Sequence, residues 1–193
     1  MNTDSKEASN KIITIPNILT VFRLLLIPVM VWCYCIKGEY LWTMAVIMLS
    51  GFTDVTDGYI ARKYKLITNF GKFMDPLADK LLVAAALICF IELGRMPAWI
   101  VLIIISREFI ISGFRLVAAE GGKVIAAGYW GKVKTAVTMV TIIFMIPNFG
   151  LMFPATHAVY IIEQIMVYAS LALTVISLVD YLMKNKEVLG GEM

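Results

Sequence analysis

The sequence predicts an all-α integral membrane protein with six transmembrane helices and an interfacial amphipathic helix near the N-terminus. Of the 193 residues, 60% are hydrophobic, and the mean hydropathy is +0.83. A chain of this size and composition is too apolar for a water-soluble globule. No polar linker divides the apolar segments, so we expect a single membrane domain over residues 12–193, after a polar tail at residues 1–11.

The amphipathic helix is predicted at residues 15–23. Pro16 suits a helix start, and Asn17, Thr20 and Arg23 recur every three residues beside apolar side chains. We expect this helix to lie at the membrane interface in a mainly structural role, and contact of Arg23 with a lipid phosphate is the alternative. The six spans are predicted at about 24–36, 40–60, 73–93, 98–119, 133–147 and 158–183.

The loops between these spans carry an uneven distribution of basic residues. The loops on one side contain only Lys37 and Arg95, whereas the other side takes the rest, apart from two arginines inside the fourth span. The positive-inside rule therefore predicts that both termini are cytoplasmic. It also places the end of the second span and the start of the third at the cytoplasmic face. Glu163 and Asp180, near the ends of the sixth span, are expected to be solvated.

Four aspartates belong to the second and third spans. Asp54 and Asp57 are about 60° apart on one helix, and Asp75 and Asp79 are about 40° apart on the next. An Asp at mid-bilayer costs roughly 2.5–3.5 kcal/mol on insertion scales, so a cluster of four requires compensating cations. The chain has one histidine and no cysteine near the cluster. Oxygen ligands alone favour Mg²⁺ or Mn²⁺, and four carboxylates suit two such ions.

The same stretch carries a longer pattern, Asp-x2-Asp-Gly-x2-Ala-Arg-x8-Gly-x3-Asp-x3-Asp, which is complete from Asp54 to Asp79. It resembles the signature of the CDP-alcohol phosphotransferases, and its eight specified positions make the resemblance specific. The resemblance implies a CDP-linked lipid as donor, an alcohol as acceptor and CMP as leaving group. It also implies a homodimer in the bacterial cytoplasmic membrane, and the distribution of basic loop residues predicts that the active site faces the cytoplasm.

The resemblance further suggests a role for each residue of the pattern. Asp54, Asp57 and Asp75 would bind metal, whereas Asp79 would complete the metal site and take the proton from the attacking hydroxyl. The residues expected to line the nucleotide are Gly58, Ala61, Arg62 and Gly71, with Arg62 near its phosphates. Close packing against another helix is the alternative explanation for the small residues.

A second group of charges lies in the fourth and fifth spans. Glu108 and Arg115 share a helix face, whereas Arg107 is expected to point elsewhere. An internal pair would satisfy Glu108, but two arginines against one glutamate leave a positive charge that a bound anion would offset. Lys132 and Lys134 oppose the dipole of the fifth helix, so they also favour an anion, with snorkelling as the alternative. They lie about 160° apart, so one of them is expected to face the site.

Two short runs indicate the acceptor by resemblance. Ser106-Arg107-Glu108 with Arg115, and Gly131-Lys132-x-Lys134-Thr135, resemble the phosphatidylglycerophosphate synthase branch of the family. That branch implies CDP-diacylglycerol as donor and glycerol 3-phosphate as acceptor, with the phosphate held by Arg107, Arg115, Lys132 and Lys134. Membrane lipids are the other expected partners, and nucleic acid is not expected.

Two alternatives remain open at this level. Within the same family, the chain could be a phosphoinositol-lipid synthase or a cardiolipin synthase. From a different class, a divalent-cation transporter would also need intramembrane carboxylates, although ion passage does not require the fixed Gly, Ala and Arg of the pattern.

Overall fold

The computed structural model describes residues 14–64, 68–120, 125, 128–149 and 156–185. Regular structure in these ranges is entirely helical, which confirms the all-α class. The α-helices, numbered in chain order, are α1 Ile15–Val31, α2 Tyr40–Lys63, α3 Asn69–Glu92, α4 Ala98–Glu120, α5 Tyr129–Met145 and α6 Thr156–Lys184.

The chain divides into two compact units between Cys89 and Phe90. The N-terminal unit contains α1, α2 and most of α3, and α1 packs against α2. The C-terminal unit contains the end of α3 with α4, α5 and α6, and α6 packs against both α4 and α5. The single membrane domain stays a prediction.

The distribution of side chains differs from that of a soluble protein, although apolar residues such as Leu87 and Ile104 are also buried. Large apolar residues such as Leu41 and Phe52 are exposed, whereas charged residues such as Arg23, Asp57 and Lys134 are buried. Water would penalise this arrangement, and a lipid environment would not. The pattern is that of an integral membrane protein.

Within the described residues, two helical segments are long and apolar enough to cross a membrane. They are Ile15–Lys37 and His157–Lys184. The count of six spans and the cytoplasmic position of both termini therefore stay predictions.

The first helix differs from the sequence-based expectation. A separate interfacial helix at 15–23 followed by a span from 24 was predicted, but α1 runs without a break from Ile15 to Val31. It continues as a π-helical turn, Trp32–Lys37, and ends at Gly38, whose positive φ of 64° closes the helix. The helix needs no break at Arg23, because the polar face of α1 is turned towards other side chains of the protein.

The connection between α2 and α3 is shorter than the basic loop predicted at 62–72. The helix α2 continues to Lys63, and α3 begins at Asn69 and runs through Pro76. Thr68 caps α3, because its hydroxyl oxygen accepts the backbone N–H of Gly71 at 3.0 Å. The two aspartate pairs therefore lie in continuous helices that end and begin within a few residues of each other in sequence.

The C-terminal unit contains a largely buried ion pair that corrects one prediction. Glu163 was expected to be solvated, but it is buried and accepts a hydrogen bond from Arg95. Arg95 also donates to the backbone carbonyl of Met145 and stacks on the ring of Phe90, with 5.8 Å between its guanidinium carbon and the ring centroid. The expectation failed because it used only the position of Glu163 near a helix end, whereas its partner lies 68 residues away in sequence.

Candidate active site

One arginine on α1 brings the carboxylates of α2 and α3 together. The Nη1 atom of Arg23 lies 2.9 Å from Asp54 Oδ1 and 2.5 Å from Asp79 Oδ1. Its Nη2 atom lies 2.6 Å from Asp57 Oδ2. A single guanidinium therefore contacts three of the four aspartates singled out by the motif, and all four residues belong to the N-terminal unit.

The fourth aspartate is held by a neutral donor on the same face of α1. Thr20 Oγ1 lies 2.5 Å from Asp75 Oδ1 and 3.0 Å from the backbone carbonyl oxygen of Pro16. Because Thr20 precedes Arg23 by three residues, the two side chains leave α1 in similar directions. Together they contact all four carboxylates.

The aspartate cluster is closed on the side of α1 and open elsewhere. The Arg23 side chain is only 1% exposed and Asp57 is equally well covered, whereas the side chains of Asp54 and Asp79 are 45% and 51% exposed. Carboxylate oxygens on the open side are therefore within reach of a ligand.

The donor set of this cluster fits hard divalent cations. Four carboxylates against one guanidinium leave an excess of negative charge, and their oxygens are the ligands that Mg²⁺ and Mn²⁺ prefer. Within the described ranges, no three metal-ligating side chains surround a ready-made ion position, and the guanidinium of Arg23 lies between the carboxylates. The assignment of Asp54, Asp57, Asp75 and Asp79 as metal ligands stays a prediction, and so do the identity and number of the ions.

The structure gives Gly71 a role in helix contact. A Cβ atom at this position would lie 2.9 Å from Asn17 Oδ1, 3.3 Å from Thr68 Oγ1 and 3.7 Å from Asp75 Oδ2. The Thr68 hydroxyl also donates to Asn17 Oδ1 at 2.8 Å, so α1 and the start of α3 meet at this point. Gly71 therefore keeps the polar side of α1 close to the carboxylates of α3.

The other residues predicted to bind the nucleotide lie in the C-terminal part of α2. Gly58 and Ala61 lie on α2 after the first aspartate pair and are half-buried. Arg62 belongs to the last turn of α2, but its side chain lies outside what the structure describes. A nucleotide-binding role for Gly58, Ala61, Arg62 and Gly71 stays a prediction.

The charges of the fourth and fifth spans form a separate network in the C-terminal unit. Glu108 Oε1 accepts hydrogen bonds from Arg107 Nη1, at 3.0 Å, and from Lys134 Nζ. Arg107 Nη2 also donates to the hydroxyl of Ser177. Arg107 and Lys134 are buried, whereas Lys132 is exposed. Of the two lysines, Lys134 is thus the one that faces the interior.

The pairing within this network corrects another expectation. Glu108 was expected to face Arg115, with Arg107 pointing elsewhere, but the partners of Glu108 are Arg107 and Lys134. Arg115 instead lies over the ring of Tyr181, with 5.6 Å between its guanidinium carbon and the ring centroid. The helical angle fixes only the direction of Cβ, and a long side chain can curl around the helix to reach a neighbour.

Several polar atoms of this network lack hydrogen-bond partners among the described residues. They are Arg107 Nε, Arg115 Nε and the hydroxyl of Tyr181, and all are buried. Buried donors without partners are costly. The three positive charges of Arg107, Arg115 and Lys134 also exceed the single negative charge of Glu108. The unpaired donors and this excess charge together favour a bound anion in this unit.

The contacts of Thr20 and Arg23 with the aspartate cluster were not predicted from the sequence. The signal was a polar triplet, Asn17, Thr20 and Arg23, repeating every three residues along an apolar helix. This triplet was interpreted as the water-facing side of an interfacial helix. The structure turns it inward, and Ile18, Leu25 and other apolar residues of α1 are exposed instead.

Comparison with known proteins agrees with the motif. The model of the CDP-alcohol phosphatidyltransferase family matches residues 13–176, a range that includes Arg23 and the four aspartates. The CDP-diacylglycerol--glycerol-3-phosphate 3-phosphatidyltransferase of Bacillus subtilis strain 168 is 37% identical over 189 residues, covering 91% of this chain and 96% of that protein. The protein of the same name from Haemophilus influenzae is 38% identical over 179 residues, covering 89% of this chain and 93% of that protein. The cardiolipin synthase (CMP-forming) of Oryza sativa is 33% identical over 195 residues, covering 93% of this chain and 59% of that protein.

Proposed function

Because this chain belongs to the CDP-alcohol phosphatidyltransferase family, we propose that it transfers the phosphatidyl group of CDP-diacylglycerol to glycerol 3-phosphate. The products are phosphatidylglycerophosphate and CMP. The observation that carries the proposal is the convergence of Asp54, Asp57 and Asp79 on one point, with Asp75 held beside them by Thr20. The names of the two bacterial relatives support the choice of donor and acceptor.

The aspartates would hold one or two divalent ions, Mg²⁺ or Mn²⁺, through their oxygens. When bound, such ions offset the negative charge of the pyrophosphate and of the departing CMP. The exposed side chains of Asp54 and Asp79 give the donor pyrophosphate access to this position. Gly58 and Ala61 would leave room for the nucleotide beside α2.

Asp79 is the proposed general base. It takes the proton from a hydroxyl group of glycerol 3-phosphate, and the hydroxyl oxygen forms a bond to the phosphorus that carries the diacylglycerol. The bond from that phosphorus to the bridging oxygen breaks, and CMP leaves with the electron pair. The contact of Asp79 Oδ1 with Arg23 holds the carboxylate in place, and the exposure of the side chain leaves it accessible to the acceptor.

The phosphate of the acceptor would be bound by basic residues of the C-terminal unit. Arg107 and Lys134 are buried with a single carboxylate between them, and Arg115 has an unsatisfied Nε atom. A phosphate supplies both the negative charge and the acceptor oxygens that these groups lack. Lys132 is exposed, so its contribution would be an electrostatic attraction of the substrate.

One observation supports a second candidate within the family. The match to the rice cardiolipin synthase covers 93% of this chain. Making cardiolipin from a CDP-lipid requires phosphatidylglycerol as acceptor, and its phosphodiester is also an anion. The divalent-cation transporter considered from the sequence is not proposed, because the family match is to an enzyme.

An acceptor comparison separates these candidates. Purified protein is incubated with CDP-diacylglycerol and Mg²⁺, and CMP release is followed with glycerol 3-phosphate, phosphatidylglycerol, inositol phosphate or serine. We expect rapid CMP release with glycerol 3-phosphate. Release with phosphatidylglycerol alone would instead assign the chain to cardiolipin synthesis.

The proposal also includes the location and assembly of the enzyme. The uneven distribution of basic loop residues supports an active site at the cytoplasmic face of a bacterial membrane, where soluble glycerol 3-phosphate is found. A homodimer is proposed from the family resemblance alone. Cross-linking in membranes would test the dimer, and accessibility of single cysteines to impermeant reagents would test the orientation.

A further inference from the structure

Among the described residues of the N-terminal unit, Arg23 is the most completely buried charge. Its side chain is 1% exposed, and its two terminal nitrogens contact Asp54, Asp57 and Asp79 at 2.5–2.9 Å. A buried cation persists only when carboxylates compensate it. The guanidinium and the aspartates therefore stabilise each other, most strongly at Asp57, which is buried with Arg23.

These are the same carboxylates that would bind divalent metal. Each carboxylate has two oxygens, and Arg23 contacts one oxygen on each of its three partners. A metal ion can therefore use the remaining oxygens while Arg23 stays close. Two cations that share three carboxylates within a few ångströms repel each other. The repulsion is stronger than in bulk water, because the site is partly shielded from the solvent.

We infer that Arg23 is an internal counter-cation of the aspartate cluster, which holds the carboxylates together when no metal is bound and lowers their affinity for divalent metal. The inference rests on the proposed function, since it takes the aspartates as metal ligands. It makes Arg23 a positioning residue. The metal affinity of the enzyme is then set by a balance between an intramolecular cation and a soluble one.

Thr20 provides a contrast on the same helix face. It is as deeply buried as Arg23 and contacts Asp75, but it carries no charge. If only the geometry of the carboxylates mattered, loss of Thr20 and loss of Arg23 would change metal affinity in the same direction. If the charge matters, only the loss of Arg23 strengthens metal binding.

The test is direct Mn²⁺ binding to detergent-purified protein that has been stripped of metal, with free Mn²⁺ followed by electron paramagnetic resonance. We expect Arg23→Gln to lower the Kd for Mn²⁺ about tenfold or more, because a nearby positive charge is removed. We also expect a lower Tm without metal and a larger rise in Tm on adding Mn²⁺. Thr20→Val should not lower the Kd.

Arg95→Gln is the matched control, because it also removes a largely buried arginine that is paired with a buried carboxylate. It should lower the Tm and leave Mn²⁺ affinity unchanged. If the wild type binds Mn²⁺ and Arg23→Gln binds it equally or more weakly, the inference is wrong while the proposed function stands. If the wild type binds no Mn²⁺, the metal part of the proposed function fails together with the inference.

The inference can still be tested if Arg23→Gln does not fold. Arg23→Met is neutral and keeps much of the side-chain volume, so it replaces Arg23→Gln if the amide is not tolerated. The inference predicts that purification in Mn²⁺ rescues neutral variants, because metal supplies the missing positive charge. Neutral variants that fail to fold at saturating Mn²⁺ would contradict it.

Discussion

Arg23 Nη2 and Asp57 Oδ2 lie 2.6 Å apart, although 34 residues separate them in sequence. Both side chains are buried, so this contact is the innermost part of the aspartate cluster. It ties α1 to α2 within the N-terminal unit, and the open side of the cluster lies at Asp54 and Asp79.

Replacing Asp57 with Asn should lower turnover by about a hundredfold or more, because it removes a charge on which the catalytic cluster depends. The variant keeps the shape of the side chain, so it should still fold and insert into membranes. Turnover is measured as CMP release with saturating CDP-diacylglycerol and glycerol 3-phosphate. Asp180→Asn is the control, since Asp180 pairs with Lys184 on α6 and should tolerate the change. Equal turnover in both variants would show that the active site is not at the aspartate cluster.

Removal of divalent metal should abolish turnover. The cluster gathers four carboxylates around the single guanidinium of Arg23, so it needs further positive charge before it can bind a pyrophosphate. The measurement is CMP release after chelation and again after addition of Mg²⁺ or Mn²⁺. Full activity after thorough chelation would rule out the proposed cofactor.

Arg115→Gln should raise the KM for glycerol 3-phosphate by roughly ten- to a hundredfold, the loss expected for one charge-assisted contact. The KM for CDP-diacylglycerol should change little, because the donor is assigned to the aspartate cluster. Steady-state kinetics with each substrate varied in turn provide the measurement. Lys184→Gln serves as control, since it removes an exposed positive charge from the same unit. A loss of donor affinity with acceptor affinity retained would reverse the two assignments.

Gly71→Ala should destabilise the protein by about 1–3 kcal/mol, the usual cost of overpacking. The new Cβ would lie 2.9 Å from Asn17 Oδ1, so the buried Asn17 side chain would have to shift and its hydrogen bond with Thr68 would be disturbed. Thermal unfolding in detergent measures the effect. Gly51→Ala is the matched control, because a Cβ at that position on α2 meets nothing within 4 Å. Destabilisation of both variants to the same extent would show that packing at Gly71 is not the cause.

The grouping of the four aspartates could be predicted from the sequence, because their spacing on each helix defines a face and intramembrane carboxylates rarely occur without a function. The role of Arg23 could not be predicted in the same way. A polar residue every three positions is equally compatible with a helix face that meets water and with one that meets carboxylates. The partners of Arg23 lie on two other helices, so only tertiary structure distinguishes the two cases.

The C-terminal charges illustrate a second limit of sequence reasoning. The surplus of positive charge on α4 and α5 was evident from residue counts, and so was the expectation that only one of the two lysines faces inward. The pairing of Glu108 with Arg107 and Lys134 could not be predicted, because helical periodicity gives the direction of Cβ and not the path of a long side chain. The pair of Arg95 and Glu163 was missed for a different reason, because its members lie 68 residues apart in sequence and only the folded chain brings them together.

The most direct measurement follows radiolabelled glycerol 3-phosphate and CMP together in one reaction with CDP-diacylglycerol and Mg²⁺. The account predicts that label enters a lipid product in equal amount to the CMP released, and that both signals are lost in Asp57→Asn. CMP release without labelled lipid, or labelled lipid formed equally well by Asp57→Asn, would contradict phosphatidyl transfer at the aspartate cluster.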